Sequence, residues 1–214
     1  SMVINNPYIE KVRQDTDILH IPEDIYSHKW KWNKYFNNSQ DIVLEVGTGM
    51  WNFFSKQVWE HPDKNFIGME IRYKRLFQTA EKSRKYDTSH FVMLKDFAQN
   101  IDKIFMENEV SETYIFFPDP WPKDRQKKHR LLQEEFLKNL YRVIKPGWKL
   151  FFKTDHREYF DSTKEVIEKQ WIWKIVNWTH NYENSKIFDI NNITEFEWMY
   201  RWENTDINYI ELAS

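Results

Sequence analysis

Short apolar runs alternate with amphipathic stretches along the middle of the chain. Asp41-Ile42-Val43-Leu44-Glu45-Val46 is a brief apolar run that ends in a glycine turn, Gly47-Thr48-Gly49. A run of this length bounded by turn residues predicts a buried strand, and Trp51 to Trp59 after it predicts a helix. Asn65-Phe66-Ile67-Gly68-Met69 predicts a second strand, followed by a basic helix through Arg72, Lys74 and Arg75. Phe91-Val92-Met93-Leu94 predicts a third, followed by a helix from Ala98 to Phe105. The fourth, Thr113-Tyr114-Ile115-Phe116-Phe117, runs through a proline-rich segment into the helical pattern Leu131, Leu132, Phe136, Leu137, Leu140, Tyr141. The turn Lys145-Pro146-Gly147 introduces the fifth, Lys149 to Thr154. Strands and helices in alternation imply an α/β fold with a mostly parallel sheet covered by helices on both faces. Trp173 to Trp178 and Ile207 to Leu212 predict two further strands, separated by a polar loop and a short helical segment from Thr194 to Trp202. The expectation is one domain over residues 1–214 with about seven strands, comprising a basic and aromatic extension (1–40) and an α/β core (41–214).

Composition narrows this picture. No apolar run approaches the roughly 20 residues needed to span a bilayer, so no membrane partner is expected. The N-terminus lacks a basic region followed by an apolar stretch, which argues against a secretory leader, and Ser1 ahead of Met2 reads as a remnant of cloning. Cysteine is absent, which removes disulfides and thiolate catalysis and suits the cytoplasm. The 7 histidines stand apart without ligand spacing, so no metal site is expected.

The formal net charge is only −2, but the charges are unevenly placed. Residues 116–130 read Phe-Phe-Pro-Asp-Pro-Trp-Pro-Lys-Asp-Arg-Gln-Lys-Lys-His-Arg. Three prolines around Asp119 deny the backbone ladder hydrogen bonds and stiffen it, so a carboxylate is presented beyond the sheet's carboxyl edge, where open α/β sheets bind ligands. Lys123, Arg125, Lys127, Lys128 and Arg130 follow, opposed only by Asp124, as phosphate contacts for a nucleic acid. A second basic stretch, Lys29-Trp30-Lys31-Trp32-Asn33-Lys34-Tyr35-Phe36, fits either an amphipathic cover for the core edge or a stacking surface for bases.

Gly47 and Gly49 leave room for a ligand to approach the backbone after the first core strand. Glu70, just past the second strand, can accept hydrogen bonds from ribose hydroxyls, and Asp96, just past the third, can reach an adenine amino group. Carboxylates at successive strand ends suit a ligand with an adenosine and a cationic pole better than a pyrophosphate, which prefers helix N-termini and basic groups. S-adenosylmethionine is such a ligand.

With Phe117-Pro118-Asp119-Pro120-Trp121-Pro122-Lys123, the basic tail to Arg130, Thr154-Asp155 and Thr194-Glu195-Phe196-Glu197, the chain resembles the bacterial tRNA (guanine-N7)-methyltransferase family from about Asp41 onward. The resemblance implies a Rossmann-like class I methyltransferase fold, S-adenosylmethionine as cofactor and tRNA as partner, with methylation at N7 of the guanosine at position forty-six in the variable loop. It also implies that Glu45, Glu70, Asp96 and Asp119 contact the donor, that Asp119 is the catalytic-site residue, and that Lys123, Asp155, Thr194 and Glu197 bind substrate. A monomer or homodimer is compatible with it. Two departures from the family pattern stand out. Met50-Trp51-Asn52 replaces a small residue and places a bulky Trp51 near the donor, and His129 replaces an arginine. Two alternatives stay open on the residues alone: an amino-group methyltransferase using the Asp-Pro-Trp-Pro loop, and a non-catalytic RNA-binding subunit with a blocked donor site. Asp155, taken alone, also suits a helix N-cap.

Overall fold

The computed structural model describes residues 5–48, 52–85, 89–192, 197 and 203–214. In chain order its elements are α1 (Pro7–Gln14), β1 (Ile18–Leu19), α2 (Pro22–Tyr26), α3 (Trp32–Phe36), β2 (Ile42–Val46), α4 (Phe53–Glu60), β3 (Asn65–Met69), α5 (Tyr73–Ser83) and β4 (Phe91–Leu94). They continue with α6 (Ile101–Ile104), β5 (Thr113–Phe116), α7 (Glu134–Val143), β6 (Lys149–Thr154), α8 (Arg157–Gln170), β7 (Lys174–Thr179) and β8 (Asn208–Ala213). The strands form one sheet in the order β1-β4-β3-β2-β5-β6-β8-β7. All pairings from β1 to β6 are parallel, and β8 runs antiparallel between β6 and β7. The register sets Val46 beside Met69 and Ile115, Met69 beside Leu94, and Phe116 beside Lys153. The carboxyl ends of five parallel core strands therefore lie along one edge.

The sheet is sandwiched because its strands are apolar on both faces. Leu44, Ile67, Val92, Ile115 and Phe152 point to one face and pack with Leu137 and Leu140 of α7 and Phe160 of α8. Val43, Phe66, Met93 and Tyr114 point to the other, against Phe53, Phe54 and Val58 of α4 and Leu76 and Ala80 of α5. Alternation along each strand produces this division.

The α/β reading holds, with differences at the edges. The described residues form eight strands rather than about seven, because Ile18–Leu19 adds a parallel strand beside Met93 and Leu94. Two residues are too few to leave a periodic signal; the pairing is made by backbone groups, Met93 N–H donating to Asp17 O at 2.9 Å and Lys95 N–H to Leu19 O at 2.9 Å. The helix expected from Leu131 begins at Glu134. Before it, Asp124–His129 forms a 3-10 turn, and the Gln133 side chain donates to the carbonyls of Lys127, Lys128 and Arg130, closing that turn. Only Glu197 of the expected Thr194–Trp202 helix is described; Thr194 lies outside the described residues.

In the N-terminal aromatic stretch, Trp32 is fully buried and Phe36 nearly so, while Trp30 is 65% exposed. The Trp32 indole donates to Ile104 O at 2.9 Å and its ring meets those of His28, Tyr35 and Phe105. The stretch covers the edge of the core. Replacing Trp32 with alanine should cost about 3–5 kcal/mol, since it empties a filled site and strands the Ile104 carbonyl. Urea unfolding measures this; a loss below about 1 kcal/mol would mean that the segment lies loosely on the core.

Candidate active site

The carboxyl edge of the sheet opens into a cleft of about 560 Å³, bounded by the segments that follow five strands: Gly47 after β2, Glu70 and Arg72 after β3, Asp96 and Phe97 after β4, Phe117 to Trp121 after β5, and Asp155 after β6. Neighbouring strands leave β2 on opposite sides, so the chain splits into two arms there, and this reversal of strand order makes a crevice.

Gly47 takes φ +77°, a left-handed conformation that favours glycine, and its N–H donates to Met69 O at 2.8 Å. Gly49 and Trp51 lie outside the described residues. Glu45 is buried behind this turn, and its Oε2 has no hydrogen-bond partner among the described residues. Burial, with the charge of Glu70 added, pushes its carboxyl well above the usual range. Glu70 is also buried, and its Oε2 accepts from the backbone N–H groups of Ile71 at 2.6 Å and Arg72 at 3.1 Å. Asp96 Oδ1 accepts from Phe97 N–H and from the Asn100 amide, each at 2.8 Å, while Oδ2 is buried without a hydrogen bond among the described residues. Burial and then Asp96 push the nearby Tyr26 hydroxyl up to about 12. A buried acceptor without a donor is costly. The unpartnered Glu45 Oε2 and the Asp96 carboxylate, beside the Tyr26 hydroxyl, fit a ligand rich in hydroxyl and amino donors, and S-adenosylmethionine meets that requirement.

Asp119 sits in a loop whose backbone is over-determined. Phe117 (φ 56°) and Trp121 (φ 43°) are both left-handed, a conformation that costs a bulky residue about 1–3 kcal/mol. Phe117 N–H donates to Lys153 O at 2.9 Å and Arg130 Nε to Pro120 O at 2.7 Å, so both flanks are tied. The Asp119 carboxylate itself is half exposed, 3.6 Å from Arg72 Nη2. The sequence marks Arg72 only as part of a basic helix, and its pairing across the cleft cannot be read from spacing.

Arg130 departs from expectation. The basic pattern assigns it to the RNA surface, yet it is buried, its guanidinium bonded to both Glu158 oxygens at 2.5 and 3.2 Å and lying 4.8 Å over the Tyr159 ring. An inward-turned, fully engaged guanidinium cannot also meet phosphate; Arg130 fastens the loop to α8. Lys127 is intermediate, paired with Asp124 at 3.0 Å and Glu158 at 3.1 Å. Lys123, Arg125 and Lys128 are exposed, and the His129 ring lies 5.2 Å from that of Trp121 beside the cleft.

Asp155 does not cap α8. His156 takes that position, its Nδ1 accepting the Tyr159 N–H at 3.0 Å, and Asp155 lines the cleft with no hydrogen bond or ion pair among the described residues. Glu197 is not brought to the cleft. It is buried, its two oxygens each 3.2 Å from Lys153 Nζ, and it borders a separate cavity of about 210 Å³ with Tyr182, Asn181 and Asp206. Sequence reasoning missed Lys153, although a lysine next to the apolar run Leu150-Phe151-Phe152 is an available signal. Among the described residues no group of three potential ligands could hold a metal ion, and no helix is long and apolar enough to cross a membrane.

A parallel α/β sheet with an acidic cleft at its switch point, holding orphaned acceptors for a nucleoside and a rigid Pro-Asp-Pro loop, defines a class I S-adenosylmethionine-dependent methyltransferase. The solved structure of the 16S rRNA methyltransferase KamB has the same fold, with a TM-score of 0.62 at 14% identity over 86% of this chain and 93% of that one. A 16S rRNA (adenine(1408)-N(1))-methyltransferase variant from Catenulisporales acidiphilia, solved with its cosubstrate, aligns with a TM-score of 0.55 at 14% identity over 91% of each chain. A family model described as a putative methyltransferase matches residues 39–210. The tRNA (guanine-N(7)-)-methyltransferase of Lachnoclostridium phytofermentans is 33% identical over 88% of this chain and 86% of its own length. That of Bdellovibrio bacteriovorus is 33% identical over 86% of this chain and 88% of its own. A bifunctional glycosyltransferase/methyltransferase of Fusobacterium nucleatum is 35% identical over 96% of this chain, which spans 31% of that protein. The chain belongs to the tRNA (guanine-N7)-methyltransferase family.

Arg130 and then Lys127 hold the Glu158 carboxyl down at about 2. Its unfolded value is about 4.3, so the pair's stabilisation is complete above that pH and is lost as pH falls toward 2. Glu158 is 49% exposed, so solvent screening limits the contribution to about 1 kcal/mol. Glu158→Gln should therefore be less stable than the parent at pH 6 in urea unfolding, with the difference closing between about pH 4.5 and pH 2. A pH-independent difference would rule out ionisation as its source.

Proposed function

We propose that the protein transfers the methyl group of S-adenosylmethionine to N7 of a guanosine in tRNA, at position forty-six of the variable loop, acting in the cytoplasm as a monomer or homodimer. The observation that carries this reading is the loop after β5. It contributes Asp119 to the lining of the cleft that Asp155 also lines, and it carries exposed Lys123, Arg125 and Lys128. The names of the relatives support tRNA as substrate and guanine N7 as the methylated atom.

The bound donor supplies an electrophilic methyl on a sulfonium. Glu45, Glu70 and Asp96 would hold its hydroxyl and amino donors, the turn at Gly47 would admit it to the backbone, and Asp119 would face the methyl group. Guanine N7 carries a free lone pair, so no base is required; the N–C bond would form as the C–S bond broke, sulfur would keep that electron pair, and the positive charge would pass to the purine. Asp119 faces that developing charge, and its long, half-exposed contact with Arg72 is cheap to redirect. Asp155 offers an acceptor for N1–H and N2–H of the guanine, with Lys123 and Thr194 as the further substrate contacts that family membership suggests; Glu197, buried against Lys153 outside the cleft, does not reach the base. Alignment of N7, carbon and sulfur can supply several kcal/mol, up to roughly 7–11 in ideal cases.

Mass spectrometry of tRNA incubated with protein and labelled donor should show one N7-methylguanosine in the variable loop; label on an exocyclic amine would overturn the assignment. Asp119→Ala should reduce single-turnover methyl transfer by roughly a hundredfold or more while the melting temperature stays near the parent's. Near-parental transfer would move the catalytic role to Asp155.

Replacing Lys123, Arg125 and Lys128 together with glutamine should weaken tRNA binding and flatten its dependence on salt by a slope of roughly 0.7–0.9 for each phosphate that is no longer neutralised. Donor affinity should be unchanged. An unaltered salt slope would show that these charges only solvate the loop.

A further inference from the structure

Helix α8 begins directly after the cleft residue Asp155, and two adjacent side chains could supply its N-cap. The first turn has to be held, because Glu158 and Tyr159 lie in it: Glu158 binds the Arg130 guanidinium, and the Tyr159 hydroxyl accepts the Leu132 N–H at 3.1 Å. The free N–H groups at a helix start need an acceptor, and aspartate is among the side chains that serve best. Asp155 stands one residue before the cap and carries a charge that the positive end of a helix favours. Yet the cap is His156, whose Nδ1 accepts the Tyr159 N–H at 3.0 Å and whose carbonyl accepts the Phe160 N–H at 3.1 Å.

The backbone on either side of Asp155 is fixed. Thr154, the last residue of β6, is buried; its carbonyl accepts the Asn208 amide at 3.0 Å, and its hydroxyl oxygen accepts the His156 N–H at 3.1 Å. Asp155 is the middle residue of that small turn, and its carboxylate lines the cleft with no hydrogen bond or ion pair among the described residues. An imidazole nitrogen that accepts is the one without a proton, so the cap uses the neutral ring with its proton on Nε2. A side chain outside the preferred capping set is thus used while a preferred one is left without a partner beside it. Helix energetics alone do not explain that choice.

We propose that His156 is a positioning residue for Asp155: by taking the N-cap itself, it keeps the neighbouring carboxylate out of the helix start and free in the cleft for substrate. This rests on the proposed reading of Asp155 as the acceptor for the guanine edge. Removal of the imidazole leaves the Tyr159 N–H without an acceptor, and Asp155 then moves into the cap, one residue earlier. The helix keeps a cap and the cleft loses a carboxylate. Activity is lost without stability, which is not the signature of a merely structural cap.

The test is a double-mutant cycle of His156→Ala and Asp155→Ala, with His156→Asn as the variant that keeps a capping side chain in place. Its readouts are kcat and KM for tRNA, donor affinity by calorimetry, and melting temperature. His156→Ala should lower kcat/KM for tRNA by roughly tenfold to a hundredfold, the scale of a misplaced group, with donor Kd within about twofold of the parent. Its melting temperature should stay within about 1 °C of the parent's. His156→Asn should recover most of the lost activity. The double variant should transfer methyl no worse than Asp155→Ala alone, yet melt about 2–4 °C below either single variant, because neither capping side chain then remains. Parental kcat/KM in His156→Ala beside an impaired Asp155→Ala, additive activity losses, no recovery in His156→Asn, or a His156→Ala variant that melts as low as the double variant would each overturn the proposal. Parental transfer in Asp155→Ala would instead remove the reading of Asp155 as a substrate contact, and the positioning role with it. A parent that makes no N7-methylguanosine would reject the assigned reaction, while the melting temperatures would still decide whether His156 keeps Asp155 out of the cap.

Discussion

Parallel pairing of β2 through β6 is the constraint on which the site depends. A parallel ladder fixes strand direction and register together, so every core strand delivers its last residues to the same edge. Glu45, Glu70, Asp96, Asp119 and Asp155 lie at or just past five successive strand ends, spread over more than a hundred positions in the chain. The ladder gathers them, with four lining one cleft and Glu45 buried behind its glycine turn. A slip of one residue in any of these pairings would turn that strand's apolar set to the wrong face, so the hydrophobic cores on both sides of the sheet defend the geometry of the cleft.

The loop after β5 uses a different kind of rigidity. Prolines limit its backbone, Phe117 and Trp121 hold left-handed conformations, and the strain is borne by contacts at each flank. Arg130 supplies one of these by donating to Pro120 O while its guanidinium is fixed by Glu158 and stacked on Tyr159. The basic cluster therefore divides by function. Its last arginine is engaged in holding the loop, and Lys123, Arg125 and Lys128 are exposed.

Buried charge marks both sides of this region. Glu45 Oε2 has no hydrogen-bond partner among the described residues and burial opposes the ionisation of its carboxyl, while Lys153, whose carbonyl accepts from Phe117 at the root of the Asp119 loop, has Glu197 as counter-charge. Neither arrangement is what an optimised core would choose. The first leaves a buried acceptor oxygen unpartnered among the described residues. The second joins Glu197 and the Asn192 carbonyl to β6, between the rings of Phe116 and Tyr182.

Much of this was legible in the sequence, because it rests on local pattern. Apolar runs of strand length, separated by amphipathic stretches, determined the α/β class and the order of the core elements. A carboxylate just past each strand end marked the edge where a ligand would lie, and the prolines around Asp119 announced a stiff loop. What the tertiary structure decided were the contacts between residues distant in sequence. Ile18–Leu19 became a strand only because β4 offered its free backbone edge, and Trp32 became core only because α6 presented the Ile104 carbonyl. Arg130 turned inward because Glu158, 28 residues away, lay beneath it, and Glu197 left the cleft for Lys153, 44 residues away. Charge and residue type are properties of the chain, but whether a charge faces solvent or a partner depends on which segment folds against it, and no local period encodes that.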